Sequence, residues 1–331
     1  MKKIKKVTDG NKFNREKITD IKFGTVIKSN LRCLPQNTRH TNILERCLRS
    51  LIGNIDLSIL VQDITRTNSY LEESLLSRMS SNDLQISKKY AAEKAVRDRE
   101  FKGNMIVGIG SGSTVVYVTK CIAETITKIN KEAENDGRKS DLNVICIPSS
   151  FQAKQLILEN NLNLGSLELF PLVDWTIDGA DEVDQQNNII KGGGGCHTQE
   201  KILASFSKEL YIVGDYTKYS PKLGTSWKKG IPIEVIPVSY VAVKKKIQCC
   251  LGGEVLLRMA VMKAGPVITD NSNFIVDWRF PEGIDNWKDI ETTIKMIPGV
   301  VEVGLFINMA VKVYIGTEND VKLYDYSLSN K

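Results

Sequence analysis

The stretch NMIVGIGSGSTVVYVTKCIAETITKIN, residues 104–130, decides the fold class. It predicts a short apolar strand, a turn rich in glycine and serine, and a long helix that begins near Ser113. Because strands that alternate with helices pair in parallel, continuation of this pattern predicts a parallel sheet covered on both faces. The other predicted elements here are a helix in KKYAAEKAVRDREF, the strands LNVICIP, VDWTIDGA, NIIKGGGG and LYIVGD, a serine-capped helix in SSFQAKQLILENN, and a helix from about Thr198 to Lys208.

Beyond Pro232 the order of elements changes. The segments IEVIP, YVAVKKKIQCCL, EVLLRMA, NFIVDWRF, NWKDIETTIKMI and GVVEVGLF predict the order β-α-β-β-α-β of ferredoxin-like folds, before the chain returns through VKVYIG. We therefore expect an α/β protein with a Rossmann-like three-layer catalytic domain and a smaller ferredoxin-like α+β domain. The expected boundaries are an N-terminal extension at 1–86, partly ordered, the catalytic domain at 87–231 and 304–331, and the ferredoxin-like domain at 232–303.

Composition and charge narrow the class of protein. The 331 residues are 42% apolar and 25% charged, as in an ordinary globular protein, and no apolar run is long enough to cross a membrane. Residues 1–86 carry 15 Lys and Arg against 9 Asp and Glu, so the whole formal excess of +6 lies there. A basic groove for nucleic acid in the main fold is therefore not expected. Within this segment, NILERCLRSLIGNIDLSILVQDI is amphipathic and predicts one or two helices.

The cysteines and histidines indicate a compartment and disfavour a metal. Seven cysteines occur without a C-x-x-C pair or a preceding secretory signal, which is typical of reduced thiols in a cytoplasmic protein. The early acids Asp9, Glu16 and Asp20 argue against a mitochondrial transit peptide. Only His40 and His197 are available as imidazole ligands for zinc, so no metal is expected.

Two glycine-rich loops are candidate ligand sites. GIGSGST, residues 108–114, joins a strand to a helix, where backbone N–H groups and the helix dipole favour an anion; a tight turn with a Ser/Thr cap explains it equally well. It has neither the lysine of a P-loop nor the third glycine of a dinucleotide fingerprint. In KGGGGCHTQEK, residues 191–201, four consecutive glycines favour close approach of the backbone to a ligand. Taken alone, the flanking Lys191 and Glu200 are also compatible with solvated surface residues.

The acidic stretch IDGADEVD, residues 177–184, places four carboxylates within seven positions. A metal site, a solvated turn and an acid/base centre all produce such a pattern. Lys191 would compete with a metal ion for the same negative charge, which favours the acid/base interpretation. Within it, Glu182 and Asp184 are expected to be supporting or solvated groups.

The motifs GIGSGST, IDGADEVD, KGGGGCHTQEK, GIPIEVIP, SNFIVDW and MIPGVVEVGLF resemble, in order and spacing, ribose-5-phosphate isomerase of the A type, particularly its animal forms. The resemblance extends from about Lys88 to about Gly316. It implies an aldose-ketose isomerase that interconverts D-ribose 5-phosphate and D-ribulose 5-phosphate without a cofactor, with a sugar phosphate as its binding partner and a homodimeric or homotetrameric assembly. Family members usually carry Leu at the position of His197, so this imidazole is expected either to be exposed or to perturb Glu200.

The resemblance also implies roles for individual residues. Glu200 matches the general base, Asp178 and Asp181 match two active-site aspartates, and Lys191 matches the lysine before the glycines. Proton transfer between C2 and C1 through an enediolate needs one carboxylate with a pKa near neutrality and donors for the developing oxyanion. Both aspartates are expected to face the sugar. The implied phosphate and sugar contacts are Ser111, Gly112, Ser113, Thr114, Lys218 and a lysine of the first helix, Lys89 or its neighbour Lys88.

Two other functions remain open at this point. A non-catalytic sugar-phosphate sensor on the same fold could dispense with the base, whereas this chain retains the base, both aspartates and the lysine. An acyl-CoA transferase shares the fold and uses a glutamate nucleophile, but the phosphate loop and the DGADE motif argue against it.

Overall fold

The computed structural model describes residues 82–327. The helices predicted in NILERCLRSLIGNIDLSILVQDI, and the N-terminal extension as far as residue 81, lie outside the described residues. The described part begins with helix α1 (82–97). The other helices are α2 (Val115–Asn135), α3 (Phe151–Glu159), α4 (His197–Ser205), α5 (Tyr240–Leu251) and α6 (Trp287–Lys295).

The main sheet has seven strands in the order β14-β13-β7-β4-β1-β2-β3, and every neighbouring pair is parallel except β13 with β14. This confirms the predicted α/β class and adds an antiparallel edge strand. The strands are β1 (Asn104–Ile109), β2 (Asn143–Pro148), β3 (Asn163–Leu164), β4 (Trp175–Gly179), β7 (Leu210–Asp215), β13 (Ala310–Gly316) and β14 (Val321–Asp325).

Alternate residues of β7 show how the two faces of this sheet are covered. Tyr211 and Val213 pack into a core built with α1, α2 and α3, whereas Leu210 and Ile212 belong to a separate core on the other face. Successive side chains of a strand point to opposite faces, so one buried strand serves both cores. The prediction of a sheet covered on both faces is confirmed. The second face, however, is covered by α4 together with a small sheet rather than by helices alone.

That small sheet has the order β12-β6-β5 and is antiparallel throughout. Its strands are β5 (Glu182–Val183), β6 (Asn188–Ile190) and β12 (Leu305–Ile307). β5 lies within the acidic stretch, and β6 directly precedes Lys191 and the glycine run. The sheet therefore anchors both motifs, which the sequence did not reveal.

A four-stranded antiparallel sheet with the order β11-β8-β10-β9 is built from β8 (Ile231–Val235), β9 (Glu254–Leu257), β10 (Phe274–Arg279) and β11 (Val300–Val303). With α5 and α6 it follows the predicted β-α-β-β-α-β order. Its apolar core also includes Ile190 and Leu305 from the small sheet. That residues 232–303 form a domain of their own stays a prediction.

GVVEVGLF, predicted as one strand, is divided at Gly304 into β11 and β12, which belong to different sheets. A Cβ at this position would lie 2.3 Å from the carbonyl oxygen of Lys191 and 2.9 Å from that of Pro232. The Gly304 N–H donates to Pro232 O at 2.7 Å, and Gly304 O accepts from the Lys191 N–H at 2.9 Å. Three backbone segments therefore meet where only glycine fits.

Candidate active site

The chemistry-bearing residues meet at the carboxyl ends of β1 and β4, where the parallel strands of an open α/β sheet form a crevice. Asp178, in β4, is buried, and its Oδ1 accepts hydrogen bonds from the N–H groups of Ser111 at 2.9 Å and Gly179 at 2.7 Å. The backbone of Gly110 passes so close that a Cβ there would lie 2.1 Å from this carboxylate. The loop after β1 is thereby fixed to the end of β4.

Lys191 links Asp178 to Glu200, the residue that matches the general base. Its Nζ lies 2.9 Å from Asp178 Oδ2 and 3.2 Å from Glu200 Oε2, and it donates to the carbonyl oxygen of Gly179 at 2.6 Å. Burial by itself would lower the pKa of this lysine, but the carboxylates of Asp178 and Glu200 outweigh burial and raise it. Lys191 is therefore a permanent cation in a site almost free of solvent.

Glu200 projects from the first turn of α4 and is 5% exposed. Its Oε2 forms the ion pair with Lys191 but accepts no well-directed hydrogen bond from the described residues. Burial, followed by the negative charge of Asp178, raises the pKa of Glu200 to about 8, against the opposing effect of Lys191. A carboxyl group with this pKa can both accept and return a proton near neutral pH.

Asp181 occupies a different position from Asp178. Its Oδ2 accepts a 2.6 Å hydrogen bond from the Gly193 N–H of the glycine run. Burial raises the pKa of Asp181, although that N–H and the cations Lys191, Lys218 and Arg258 oppose the rise. Asp181 faces the cleft, whereas Asp178, 1% exposed, lies beneath it. The expectation that both aspartates face a ligand therefore fits the position of Asp181 only.

Part of the glycine run is explained by the backbone conformation and by neighbouring side chains, without a ligand. Gly192 and Gly195 have φ of +101° and +84°, which side-chain-bearing residues rarely adopt. A Cβ on Gly193 would lie 2.4 Å from Asp181 Oδ1. At Gly194 a Cβ would meet no atom within 4 Å among the described residues beyond its chain neighbours, so this glycine borders open space in that part of the chain. Backbone conformation and the contact with Asp181 therefore account for the other three glycines. Close approach of the backbone to a ligand, which was expected for the whole run, is needed as an explanation only at Gly194.

These groups line a cleft of about 390 Å³. Of the predicted site residues, all but Asp178 and Lys89 contribute to its wall. The predicted residues in the wall are Ser111, Gly112, Ser113, Thr114, Asp181, Lys191, Glu200 and Lys218. A second cavity of about 460 Å³ lies between segments 222–230 and 279–287, and none of the predicted site residues reaches it. The second cavity also has charged residues in its wall, so the smaller cleft is singled out by the predicted residues that it gathers and by the buried pair of Lys191 and Glu200.

A family model described as Ribose 5-phosphate isomerase A (phosphoriboisomerase A) matches residues 145–320. The ribose-5-phosphate isomerase of Homo sapiens is 50% identical over 233 residues, which cover 70% of this chain and 71% of that protein. The chain belongs to the ribose 5-phosphate isomerase A family. The resemblance deduced from the motifs is therefore confirmed.

Solved structures agree with this membership. The ribose 5-phosphate isomerase A of Methanocaldococcus jannaschii has a TM-score of 0.63 at 39% identity, over 72% of this chain and 97% of that one. A D-ribose-5-phosphate isomerase solved in complex with phospho-erythronic acid has a TM-score of 0.64 at 37% identity, with the same two coverages. Both are isomerases, as is the human relative, so the sensor and transferase alternatives are not favoured.

Lys89, predicted to contact phosphate, is not brought to the cleft. Its side chain is 58% exposed and its Nζ lies 3.7 Å from Glu93 one turn along α1. The other candidate, Lys88, is half-buried but does not line the cleft either. The i, i+4 pair with Glu93 explains Lys89 as a solvated helix residue.

His197 is fully buried, so the expectation of an exposed imidazole is wrong. Its Nε2 lies 3.3 Å from the carbonyl oxygen of Glu302, and its Nδ1 has no partner in the described part of the chain. Burial lowers the pKa of His197 to about 4, so the ring is neutral at physiological pH. A Cβ on Gly192 would lie 2.6 Å from Nδ1, which places the ring against the glycine run.

The supporting acids Glu182 and Asp184 are buried rather than solvated. Glu182 accepts hydrogen bonds from the N–H groups of Gly224 and Ser226, at 2.6 and 2.7 Å. Asp184 accepts from the N–H and the side-chain amide of Asn188. Glu182 thus fixes the segment 224–226, and Asp184 fixes the turn that leads into β6. Structural hydrogen bonds therefore explain two of the four carboxylates of the acidic stretch, and no catalytic role is needed for them.

Three residues of the cleft wall were missed by sequence reasoning: Phe151, Gln152 and Asp270. Gln152 Oε1 accepts from the Gly112 N–H at 2.9 Å, and Asp270 Oδ2 accepts from the Phe151 N–H at 3.0 Å. Gln152 follows the carboxyl end of β2, the neighbour of β1, so the topology of a parallel sheet would have pointed to it. Asp270 comes from a loop beside the four-stranded sheet and carries no local signal.

Neither a metal cluster nor a membrane helix is found in the described residues. Within 82–327, no group of three His, Cys, Asp or Glu is arranged to hold a metal ion. The Lys191 ammonium occupies the space between Asp178 and Glu200 that a cation would otherwise fill. No helix of this region is long and apolar enough to span a bilayer.

Proposed function

We propose that Glu200 carries the proton between C2 and C1 in the interconversion of D-ribose 5-phosphate and D-ribulose 5-phosphate that this chain catalyses. The observation that supports this role is the carboxyl group with a raised pKa, held 3.2 Å from the buried Lys191 ammonium at the wall of the cleft. As a carboxylate it removes the C2 proton. As a carboxylic acid it returns a proton to C1 of the enediolate, so no cofactor is needed.

Lys191 and the glycine-run N–H groups stabilise the enediolate oxygen. A fixed cation and preorganised donors in a site with little solvent stabilise the charge that develops in the transition state. Phospho-erythronic acid, which the similar solved isomerase binds, carries a carboxylate where the substrate carries its reacting carbonyl, and an anionic carboxylate resembles the enediolate. The same cleft is therefore proposed to bind such an acid.

Asp181 is proposed to contact the sugar directly and to open the furanose ring by moving a proton between the anomeric hydroxyl and the ring oxygen. Asp178 acts through its neighbours: it orients the Lys191 ammonium and the Ser111 N–H, both at 2.9 Å. The phosphate is proposed to bind to Lys218 and the loop Ser111–Thr114 at the start of α2. There the N–H groups of Ser113 and Thr114, which make no hydrogen bond to the described residues, and the helix dipole favour an anion.

The division into a catalytic α/β domain at 87–231 and 304–331 and a ferredoxin-like domain at 232–303 is likewise a proposal, as is a cytoplasmic location.

A homodimer or homotetramer is proposed on the family resemblance. It is supported by Val261 and Met262, which are almost fully exposed in the turn closed by the Ala260 N–H to Gly265 O bond. Apolar tips of this kind are typical of subunit contacts. Light scattering during gel filtration would give the mass.

The reaction is tested by proton NMR of ribose 5-phosphate in D₂O with EDTA present, comparing the wild-type protein with Glu200→Gln. We expect ribulose 5-phosphate with deuterium at C1 from the wild type, and a loss of about 10²- to 10⁴-fold in rate in the variant. Undiminished deuterium transfer by Glu200→Gln would contradict the assignment of the base. Binding of ribose 5-phosphate without turnover by the wild type would instead support a sensor.

A further inference from the structure

The glycine run is held from behind by an arginine of the four-stranded sheet. Arg258 follows β9, and its Nη1 donates to the carbonyl oxygen of Gly192 at 2.8 Å and to that of Gly193 at 3.2 Å. The guanidinium is itself oriented by Asp277 in β10, with Nε–Oδ2 at 2.8 Å and Nη2–Oδ1 at 2.5 Å. Both side chains of this pair are less than one-fifth exposed.

The two carbonyls belong to peptide units whose N–H ends point in the opposite direction, because a trans peptide holds C=O and N–H antiparallel. The unit that begins with Gly192 C=O ends with the Gly193 N–H, which donates to Asp181 at 2.6 Å. The unit that begins with Gly193 C=O ends with the Gly194 N–H. This N–H makes no hydrogen bond to the described residues, and Gly194 lines the cleft.

From this arrangement we infer that Arg258 is a positioning residue of the isomerase: it fixes the orientation of the 192–193 and 193–194 peptide units so that one N–H holds Asp181 and the other serves as an oxyanion donor. The inference rests on the proposed function and extends it to a residue that touches no substrate. Glycine peptides are free to rotate, and a planar fork with two donors is suited to stop that rotation.

The geometry explains why Arg rather than Lys is required at this position. A guanidinium can bind both oxygens of Asp277 and still present a further N–H to two successive carbonyls, whereas an ammonium is a point donor. Arg258→Lys therefore keeps the charge and the contact with Asp277 but releases the Gly193 carbonyl, and it leaves the Gly192 carbonyl with the Gly195 N–H at 2.9 Å alone. Arg258→Gln removes the charge as well.

The matched control is Arg279, also in the four-stranded sheet, which forms an exposed ion pair with Glu254 at 2.9 Å. Arg279→Lys makes the same chemical change in the same sheet but touches neither the glycine run nor the cleft. Exposed pairs of this kind contribute little to stability, so this variant is expected to behave as the wild type.

The first readout is amide hydrogen exchange in the peptide that contains residues 190–196, which needs no turnover. Exchange at Gly193 is expected to be at least about tenfold faster in Arg258→Lys than in the wild type or Arg279→Lys, because the peptide unit can turn away from Asp181. Asp277→Asn, which leaves Arg258 in place with a weaker anchor, should accelerate exchange in the same direction by less.

The second readout is steady-state kinetics with ribose 5-phosphate. We expect kcat to fall about 10- to 100-fold in Arg258→Lys, with KM within about threefold, because the displaced donor acts on charge that develops in the transition state. Unchanged exchange together with unchanged kcat in Arg258→Lys would overturn the inference. A wild type that exchanges as expected yet fails to convert ribose 5-phosphate would overturn the proposed function while leaving the peptide orientation established.

Discussion

The ammonium of Lys191 lies 3.2 Å from the carboxylate of Glu200, and both side chains are almost entirely buried. Close pairing with a cation normally keeps a carboxyl group ionised. Here burial and the nearby Asp178 outweigh the cation, and the pKa of Glu200 is raised to about 8. A single site therefore contains a permanently charged donor and an acid that titrates in the working range.

The pH dependence of the reaction follows from this balance. Because the base must be ionised to attack C2, kcat/KM is expected to rise with pH and to reach half of its maximum near the pKa of Glu200, about 8. The charged groups that set this value are Asp178, Lys191 and Asp181. Rates measured between pH 5 and 10 would show the rise, and an acid limb centred below pH 6 would contradict the burial argument.

Removing the charge of Glu200 is expected to stabilise the protein at high pH. The unfolded chain releases this proton near the ordinary glutamate pKa of 4.5, and the folded chain releases it near a pKa of 8. Stability therefore falls as pH rises through this interval and stays reduced above it. Glu200→Gln should melt about 3–6 °C higher than the wild type at pH 9 and at nearly the same temperature at pH 4.

Glu302 provides a control for that experiment, because its pKa is shifted in the opposite direction. Burial would raise its pKa, but Lys201 and Lys295 outweigh burial and lower it. Its ionised form is therefore the stabilising one, and Glu302→Gln should lower the melting temperature at pH 9. A loss of stability in both variants would show that the buried charge of Glu200 carries no folding cost.

Lys218 is expected to contribute to binding rather than to chemistry. It lines the cleft at the end of the 3₁₀ turn Tyr216–Lys218, and a charge-assisted hydrogen bond to phosphate is worth roughly 1.5–3 kcal/mol. Lys218→Ala should raise KM for ribose 5-phosphate about 10- to 100-fold with kcat little changed. Lys228 is an exposed lysine in the wall of the second cavity, so Lys228→Ala is the matched control. A fall in kcat at constant KM would move Lys218 into the reacting machinery.

Two glycine-to-alanine changes separate folding from binding. At Gly304 a Cβ would lie 2.3 Å from a backbone oxygen, so Gly304→Ala should destabilise the protein by about 3 kcal/mol in urea unfolding. At Gly194 the added methyl meets no atom within 4 Å among the residues 82–327 other than its chain neighbours, so the melting temperature should stay within about 2 °C. Because this methyl would protrude into the cleft, KM should rise. An unchanged KM would place the ligand away from the run.

The sequence was sufficient for those parts of the fold that repeat a local pattern. Alternation of apolar strands with helices predicted the main sheet, and the Ser150 cap predicted the start of α3, where its side chain accepts from the Ala153 N–H. The division of GVVEVGLF between two sheets was not predictable, because it depends on contacts of Gly304 with residues more than 70 and more than 110 positions away.

The candidate site shows the same limit. Apart from Lys218, which the family resemblance implied, the predicted residues that line the cleft came from contiguous motifs whose spacing could be read directly. The burial of His197, the placement of Asp178 beneath the cleft and the support of the glycine run by Arg258 all depend on tertiary packing. Lys89 shows the converse: this lysine of the expected helix was predicted to contact phosphate, but its side chain is exposed, lies beside Glu93 and does not line the cleft.

The meeting of three backbones at Gly304 also constrains how the length of this chain can change in evolution. Inserting or deleting one residue between 300 and 307 would turn the buried side chains of β12 to the opposite face and move the Lys191 carbonyl out of reach. The turn at 136–139 after α2, whose side chains are exposed, has no such constraint. Length variation among descendants of this sequence should therefore accumulate in that turn and be absent from the segment behind the active-site lysine.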